Sequence, residues 1–320
     1  MPTDEPAREL FLSRMRELDD VTEALCEPSA LSPVLAFREC HTSMPSYDSL
    51  KELMARLKAV LFPGYFGPSK VYRESLRYHL SANLDSIFRM LAEQIRRGGC
   101  FACADYMNDC RGSDVASSEL AMRFMKRVPH VRAMLIGDAQ AAYEGDPAAT
   151  SPGEAVFCYP SMLAMIHHRV AHELYELKVP IIPRIIAEMA HSHTGIDIHP
   201  GAHIGGNFFI DHGTGVVIGE TCIIGQNCRL YQGVTLGALS FSKNSDGTLV
   251  KGIPRHPILE DNVTVYAGAS ILGRITIGKG SVIGGNVWLT HSVPPESRIV
   301  QSGAKARPGE ALTGNTRSRE

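Results

Sequence analysis

A chain of 320 residues exceeds the usual span of one domain, and its 44% apolar content supplies a sizeable core. With 32 basic and 34 acidic side chains, a net charge of −2 and no long run of either sign, it lacks the electrostatic footprint of a nucleic-acid or anionic-membrane binder. The expected partner is a small molecule or another copy of the chain. Met1 to Leu12 is polar and acidic, and no stretch approaches ~20 uninterrupted apolar residues, so neither export nor anchoring is expected. A cytoplasmic location follows, in which Cys26, Cys40, Cys100, Cys103, Cys110, Cys158, Cys222 and Cys228 are reduced thiols.

From Glu5 to about His191 the apolar residues recur at intervals of three and four, as in Leu50-Leu53-Leu57-Val60-Leu61 and Leu163-Ile166-Val170-Leu174, which predicts helices. Pro63-Gly64, Gly98-Gly99 and Asp146-Pro147 are expected to end segments. Residues 1–192 therefore read as an all-α domain suited to an oligomer interface. The Cys100-x-x-Cys103 pair with Cys110 hints at a metal, but its helical setting favours structural cysteines.

After His191 the period changes to six. Large aliphatic residues fall at Ile198, Ile204 and Ile210, then after a two-residue slip at Ile218, Ile224, Leu230 and Leu236. Beyond an interruption they resume at Leu259, Val265, Ile271, Ile277, Ile283 and Leu289. Small or β-branched residues hold the fourth place after them, Cys222 and Cys228 included, and are expected to be buried. Such a repeat describes a solenoid of short parallel strands, one strand and one corner per hexad. Proteins with this pattern form left-handed triangular coils, against the usual crossover hand. The predicted architecture is thus α+β in two domains, a helical one followed by a left-handed parallel β-helix over 193–296, with an excursion at about 237–258 and a tail over 297–320. Gly273 to Gly280 comes within one residue of a phosphate-binding P-loop, but another hexad follows where that motif needs a helix.

The irregularities are the places for chemistry. One is the slip carrying Asp211-His212-Gly213-Thr214-Gly215; the other is the excursion ending in Arg255-His256-Pro257. Together with Asp197-Ile198-His199-Pro200, the run from Val216 to Thr221 and Gln232-Gly-Val-Thr-Leu-Gly237, these segments resemble the serine acetyltransferase family in order and spacing. The resemblance covers roughly Ala133 to Val293.

The resemblance implies transfer of acetyl from acetyl-CoA to the hydroxyl of L-serine, the first step of cysteine biosynthesis from serine, with no metal cofactor. That hydroxyl needs a base as it attacks the thioester, and histidine, with an ordinary pKa near ~6.5, suits the task. The family assigns the base to His212 and its orienting carboxylate to Asp197. Stacking three hexads per coil places Gly215 over Asp197, and coils lie only ~4.8 Å apart, so the pair is within reach. By resemblance, Asp146 and Asp211 receive the substrate's amino group, and Arg255 and His256 hold its carboxylate, for which a guanidinium fork is suited. The acetyl-CoA arm is expected near Gly237, Ala267 and Gly285, in a groove shared by neighbouring solenoids of a homotrimer or a dimer of trimers, and L-cysteine is a candidate feedback inhibitor at the serine site.

Three features depart from the family's common form. Residues 1–65 are an extension without a match, Leu239 to Thr248 lengthens the excursion, and the chain ends in Thr-Arg-Ser-Arg-Glu320 where many relatives have an isoleucine that docks into O-acetylserine sulfhydrylase. A tight complex with that enzyme is therefore not expected, and a purely scaffolding role would need the missing tail. Two further alternatives stand: an acyltransferase acting on homoserine or another hydroxylated amine, and a zinc carbonic anhydrase using His199, His203 and His212.

Overall fold

The computed structural model describes residues 4–27, 44–67, 71–102 and 112–301. Cys40, Cys103, Cys110 and the charged ending at Arg319-Glu320 lie outside them. The chain forms two compact units, the smaller comprising residues 1–43 and 103–110. Its described part is one helix, α1 (Glu5–Cys26), with Pro6 in its first turn and no buried side chain.

The larger unit begins with α2 (Tyr47–Leu61), capped by the Ser46 hydroxyl accepting from the Ser49 amide. It continues through α3 (Leu76–Ala102), α4 (Gly112–Gly145), α5 (Pro152–Cys158), α6 (Pro160–Glu176) and α7 (Ile182–Thr194), which stops at Gly195 in the left-handed region, φ 69°. The predicted helical faces are the observed ones: Leu50, Leu53, Leu57, Ile166, Val170 and Leu174 are buried in a single core that runs on into the strands.

One predicted stop is not a stop. Gly98 and Gly99 lie inside α3. A Cβ at Gly98 would come within 2.8 Å of the Pro180 carbonyl oxygen, so that glycine serves a close approach to the chain entering α7.

Among the described residues fourteen short strands follow, all paired in parallel, in three sheets. The first is ordered β1 (Asp197–Ile198), β4 (Val217–Ile218), β7 (Thr235–Gly237), β10 (Ser270–Leu272) and β13 (Trp288–Leu289). The second holds β2 (His203–Ile204), β5 (Ile223–Ile224), β8 (Ile258–Leu259) and β11 (Thr276–Ile277). The third holds β3 (Phe209–Ile210), β6 (Arg229–Leu230), β9 (Thr264–Val265), β12 (Val282–Ile283) and β14 (Arg298–Ile299). From β1 to β13 successive strands visit the sheets in rotation, and β14 joins the third after a single Val293–Ile277 bridge at the second, which makes a three-sided prism. Every large aliphatic residue of the six-residue period is at most 8% exposed, so the repeat marks the inward side chain of each strand. Cys222 and Cys228 are buried with them, and burial pushes their thiols up to about 12 and about 11. The P-loop-like stretch contains β11 and no helix.

The register corrects one expectation. Asp197 lies beside Val217, two positions beyond Gly215, because the corner at His212 takes two extra residues. Helices and prism are joined by a buried ion pair: Arg169 of α6 donates to both carboxylate oxygens of Asp138 of α4, at 2.6 and 2.7 Å. Arg169 also donates to the Ile204 and Gly205 carbonyls, while Asp138 accepts from the Phe208 amide at 3.0 Å, so every charged atom of the pair is partnered.

Candidate active site

The edge between the third and first sheets turns regularly in later coils, through Tyr231-Gln232-Gly233 and Tyr266-Ala267-Gly268. In the first coil it carries Asp211 to Gly215 instead, and the surplus residues throw His212 outward. Its backbone lies in the left-handed region, φ 56°, and its side chain is 73% exposed. Gly213, φ 91°, follows under it, and any Cβ there would overlap Ile196. The bulge is fastened back to the start of that coil by the Gly215 amide, which donates to the Gly195 carbonyl at 2.8 Å, and by the Asp197 amide, which donates to the Val216 carbonyl at 2.9 Å.

The carboxylate paired with His212 is that of Asp211, Oδ1 to Nδ1 at 3.7 Å. Asp197 stands half-buried on β1, where its charge acts on His199. Asp146, just past the end of α4, reaches the same edge and feels the charge of His212. Its Oδ2 accepts from the Tyr159 hydroxyl at 2.5 Å and its Oδ1 from the Ala148 amide at 2.8 Å, and these bonds hold its carboxyl below the usual range. The same bond raises the Tyr159 phenol well above its ordinary value, so it remains a donor. Sequence reasoning missed Tyr159; it stands thirteen residues from Asp146 in another helix–helix junction, with only the following Pro160 to mark it.

Arg255 and His256 occupy the next edge, between the first and second sheets, where the long excursion returns to β8. Arg255 donates to Glu220 at 2.7 Å, and Glu220 also accepts from Tyr175 of α6 at 3.3 Å. Partial burial opposes the Glu220 charge, but Arg255 and His199 outweigh it and hold the carboxyl below its ordinary value. Thr221 is the hub: its hydroxyl oxygen accepts from the Arg255 and His256 amides, at 2.9 and 3.1 Å, and its own amide donates to His256 Nδ1 at 3.1 Å. That bond makes Nδ1 an acceptor and leaves the neutral ring's proton on Nε2. His256 is 7% exposed and lies so close over Gly219 that any Cβ would overlap the ring. Burial first, and Arg255 second, push His256 down to about 4; burial and Arg184 do the same to His199. Glu220 and Thr221 stood inside the quoted motif without a role, since nothing local shows that residues 35 positions later fold onto them.

Of the residues expected near acetyl-CoA, Ala267 and Gly285 are neighbours on the His212 edge, where a Cβ at Gly285 would stand 3.2 Å from the Ala267 carbonyl oxygen. Gly237 ends β7 on the Arg255 edge. The histidines of the zinc alternative do not assemble: among the described residues His203 groups with His172 and Glu176, and with neither His199 nor His212.

Residues 256–291 match the family described as bacterial transferase hexapeptide (six repeats). A Synechococcus elongatus protein named serine acetyltransferase, plasmid, is 48% identical over 289 residues, covering 89% of this chain and 91% of its own. The chain belongs to the serine acetyltransferase family. Among solved members of that family, serine acetyltransferase 1 of Entamoeba histolytica in complex with L-cysteine superposes with a TM-score of 0.68 at 37% identity, covering 78% of this chain and 86% of its own. The Neisseria gonorrhoeae serine acetyltransferase in complex with serine gives 0.51 at 26% identity, covering 85% of this chain and all of its own. No helix among the described residues is long and apolar enough to cross a membrane.

Proposed function

We propose that this serine acetyltransferase family member transfers acetyl from acetyl-CoA to the hydroxyl of L-serine, on a prism whose coils are left-handed, and so supplies O-acetyl-L-serine for cysteine biosynthesis. The observation that carries the reading is the grouping of Asp146 and Asp211 with an exposed His212 on one edge, with Arg255 and His256 on the next. Two carboxylates suit an ammonium group, and an arginine and a neutral N–H donor suit a carboxylate. An acceptor bearing only hydroxyl groups would need neither set.

With His212 Nδ1 toward a carboxylate, Nε2 is free to take the proton of the serine hydroxyl as the O–C bond forms. The carbonyl carbon then expels the CoA thiolate, and the imidazolium returns the proton to sulfur. Asp197 takes the orienting role once the exposed ring turns toward β1, to which the bulge is fastened.

One hexad of extended chain separates the two edges, roughly 15–20 Å. A serine, whose charged groups flank a single carbon, cannot span that. The site is therefore completed between two copies of a trimer, one contributing the His212 edge with Ala267 and Gly285, its neighbour the Arg255 edge with Gly237. Residues 193–296 carry the acetyltransferase chemistry, and the helices before them govern whether trimers pair. L-cysteine carries the same ammonium and carboxylate as serine and is proposed to compete for this site. An assay of CoA release tests the reading: release should require L-serine and be weaker with L-homoserine. Release that ignores serine, or favours homoserine, would overturn it.

A further inference from the structure

Away from both edges, α6 carries a row of potential metal ligands. His168, His172 and Glu176 are spaced by four residues and so lie along one helix face. That face meets β2, where His203 points outward from the second sheet. Ligating atoms of His172, Glu176 and His203 all lie within 4.8 Å of one another. The His172 and His203 rings meet edge to face, centroids 4.9 Å apart.

We infer that His172, Glu176 and His203 form a zinc site that clamps helix α6 to the first coil of the prism. The ligand set is of the two-histidine, one-carboxylate type that zinc accepts, with a fourth position open to water. His172 is oriented for the role. Its Nδ1 lies 2.8 Å from the Pro200 carbonyl, which can only accept, so the proton sits there and the Nε2 lone pair is free. Glu176 and His203 are exposed and free to close the difference, up to about 1.5 Å, between the 4.8 Å spacing and the roughly 3.3 Å separating ligand atoms held ~2.0–2.1 Å from a tetrahedral zinc. Beside His172 lies a cavity of about 140 Å³, lined also by His130, His168 and Arg169. His168 is buried there with its Nδ1 unpartnered, its ring centroid 5.7 Å from that of His172. Among the described residues it is one of three buried side-chain nitrogens without a partner, with His79 Nε2 and Arg132 Nε. The nearby cation, Arg169, is neutralised by Asp138 and does not repel the metal.

The clamp would act at a distance from the chemistry. Tyr175, between the two helical ligands, donates to Glu220 and so stands behind Arg255. Fixing α6 on β2 fixes that contact.

The test uses the full chain, free of any affinity tag and stripped with a chelator. Zinc titration against a competing dye should show one ion per chain with a dissociation constant on the order of micromolar or tighter, and excess zinc should raise Tm by preferential binding to the folded state. Cobalt(II) should give the visible absorption of a tetrahedral site. His203→Gln, at an exposed position that tolerates the change, and His172→Gln should each weaken zinc by more than the roughly 10–100-fold typical of a lost outer-shell partner. His291→Gln, on the exposed surface elsewhere, should leave affinity unchanged. Zinc bound only in trace amounts, or bound equally well by the His172→Gln and His203→Gln proteins, would overturn the inference. Since the readouts are affinity, Tm and a spectrum, they stand or fall independently of serine acetylation.

Discussion

Two edges of one prism carry the candidate site residues, and they are held in opposite ways. On the edge between the third and first sheets, His212 rides a five-residue bulge with its side chain 73% exposed and its one paired carboxylate 3.7 Å away. On the edge between the first and second sheets, His256 is 7% exposed, laid over Gly219 and tied through Nδ1 to Thr221, while Arg255 is committed to Glu220. The proposed chemistry explains the difference. A group that must accept a proton and give it up needs room to turn, whereas groups that only hold an anion gain from being fixed beforehand. The first edge should therefore govern kcat and the second KM.

Replacing His212 by Asn puts the largest effect on that comparison. Loss of a general base costs ~10²–10⁴-fold in rate, so kcat should fall by that factor while acetyl-CoA binding, measured by calorimetry, stays near native. Asp197→Asn should cost less, since the base keeps its nitrogen and loses only the charge that stabilises the imidazolium. Retention of more than about a tenth of native kcat by His212→Asn would fall outside that range and move the base elsewhere, with His256 the first residue to test.

On the other edge, Arg255→Ala removes a charge-assisted contact of about 1.5–3 kcal/mol, which raises KM for serine by roughly 10–150-fold. Initial-rate kinetics should show kcat much less affected. A fall in kcat with KM unchanged would place Arg255 in the chemical step and dissolve the division between the edges. Gly219→Ala probes the same edge without touching a charge. The new methyl group must displace the His256 ring, and overpacking of this kind costs about 1–3 kcal/mol. A KM increase of roughly 5–150-fold is expected, with the Arg255–Glu220 pair intact.

How much of this was legible beforehand follows from where each signal resides. The period of six maps onto the prism directly because each repeat unit is a single strand and corner, so its aliphatic positions were all found buried. The slip was visible too, but its consequence, Asp197 opposite Val217, appears only when the bulge is counted into the coil. Gly98 misled because a glycine that ends a helix and one that admits a neighbouring carbonyl look alike in sequence. Tyr159, Tyr175, Glu220 and Thr221 were silent for a different reason: their partners lie 13 to 45 residues away, on elements that meet only in the folded chain.

The smallest effect, and the one that reads the buried edge without a substitution, is the response to acid. His167, His199 and His256 are each held near 4, and His168 and His172 are lowered as well, in every case first by burial. Around His256 the charge of Arg255, with smaller contributions from His199 and Arg274, works in the same direction and Glu220 works against it. In the unfolded chain these histidines return to the ordinary value of about 6.5. Between the two values the unfolded state binds more protons than the folded one, so protonation favours unfolding. The stability from burying neutral histidines is fully present above about 6.5 and is lost as pH falls toward about 4. Tm measured by calorimetry should accordingly decline steadily from pH 7.5 to pH 5. His256→Gln, which takes one of these groups out of the balance, should make that decline shallower even though it lowers Tm at pH 7.5 by disturbing the contact with Thr221. A Tm that is flat over this interval, or a slope that His256→Gln leaves untouched, would mean that water reaches the second edge as freely as it reaches His212, and the contrast between the two edges would be lost.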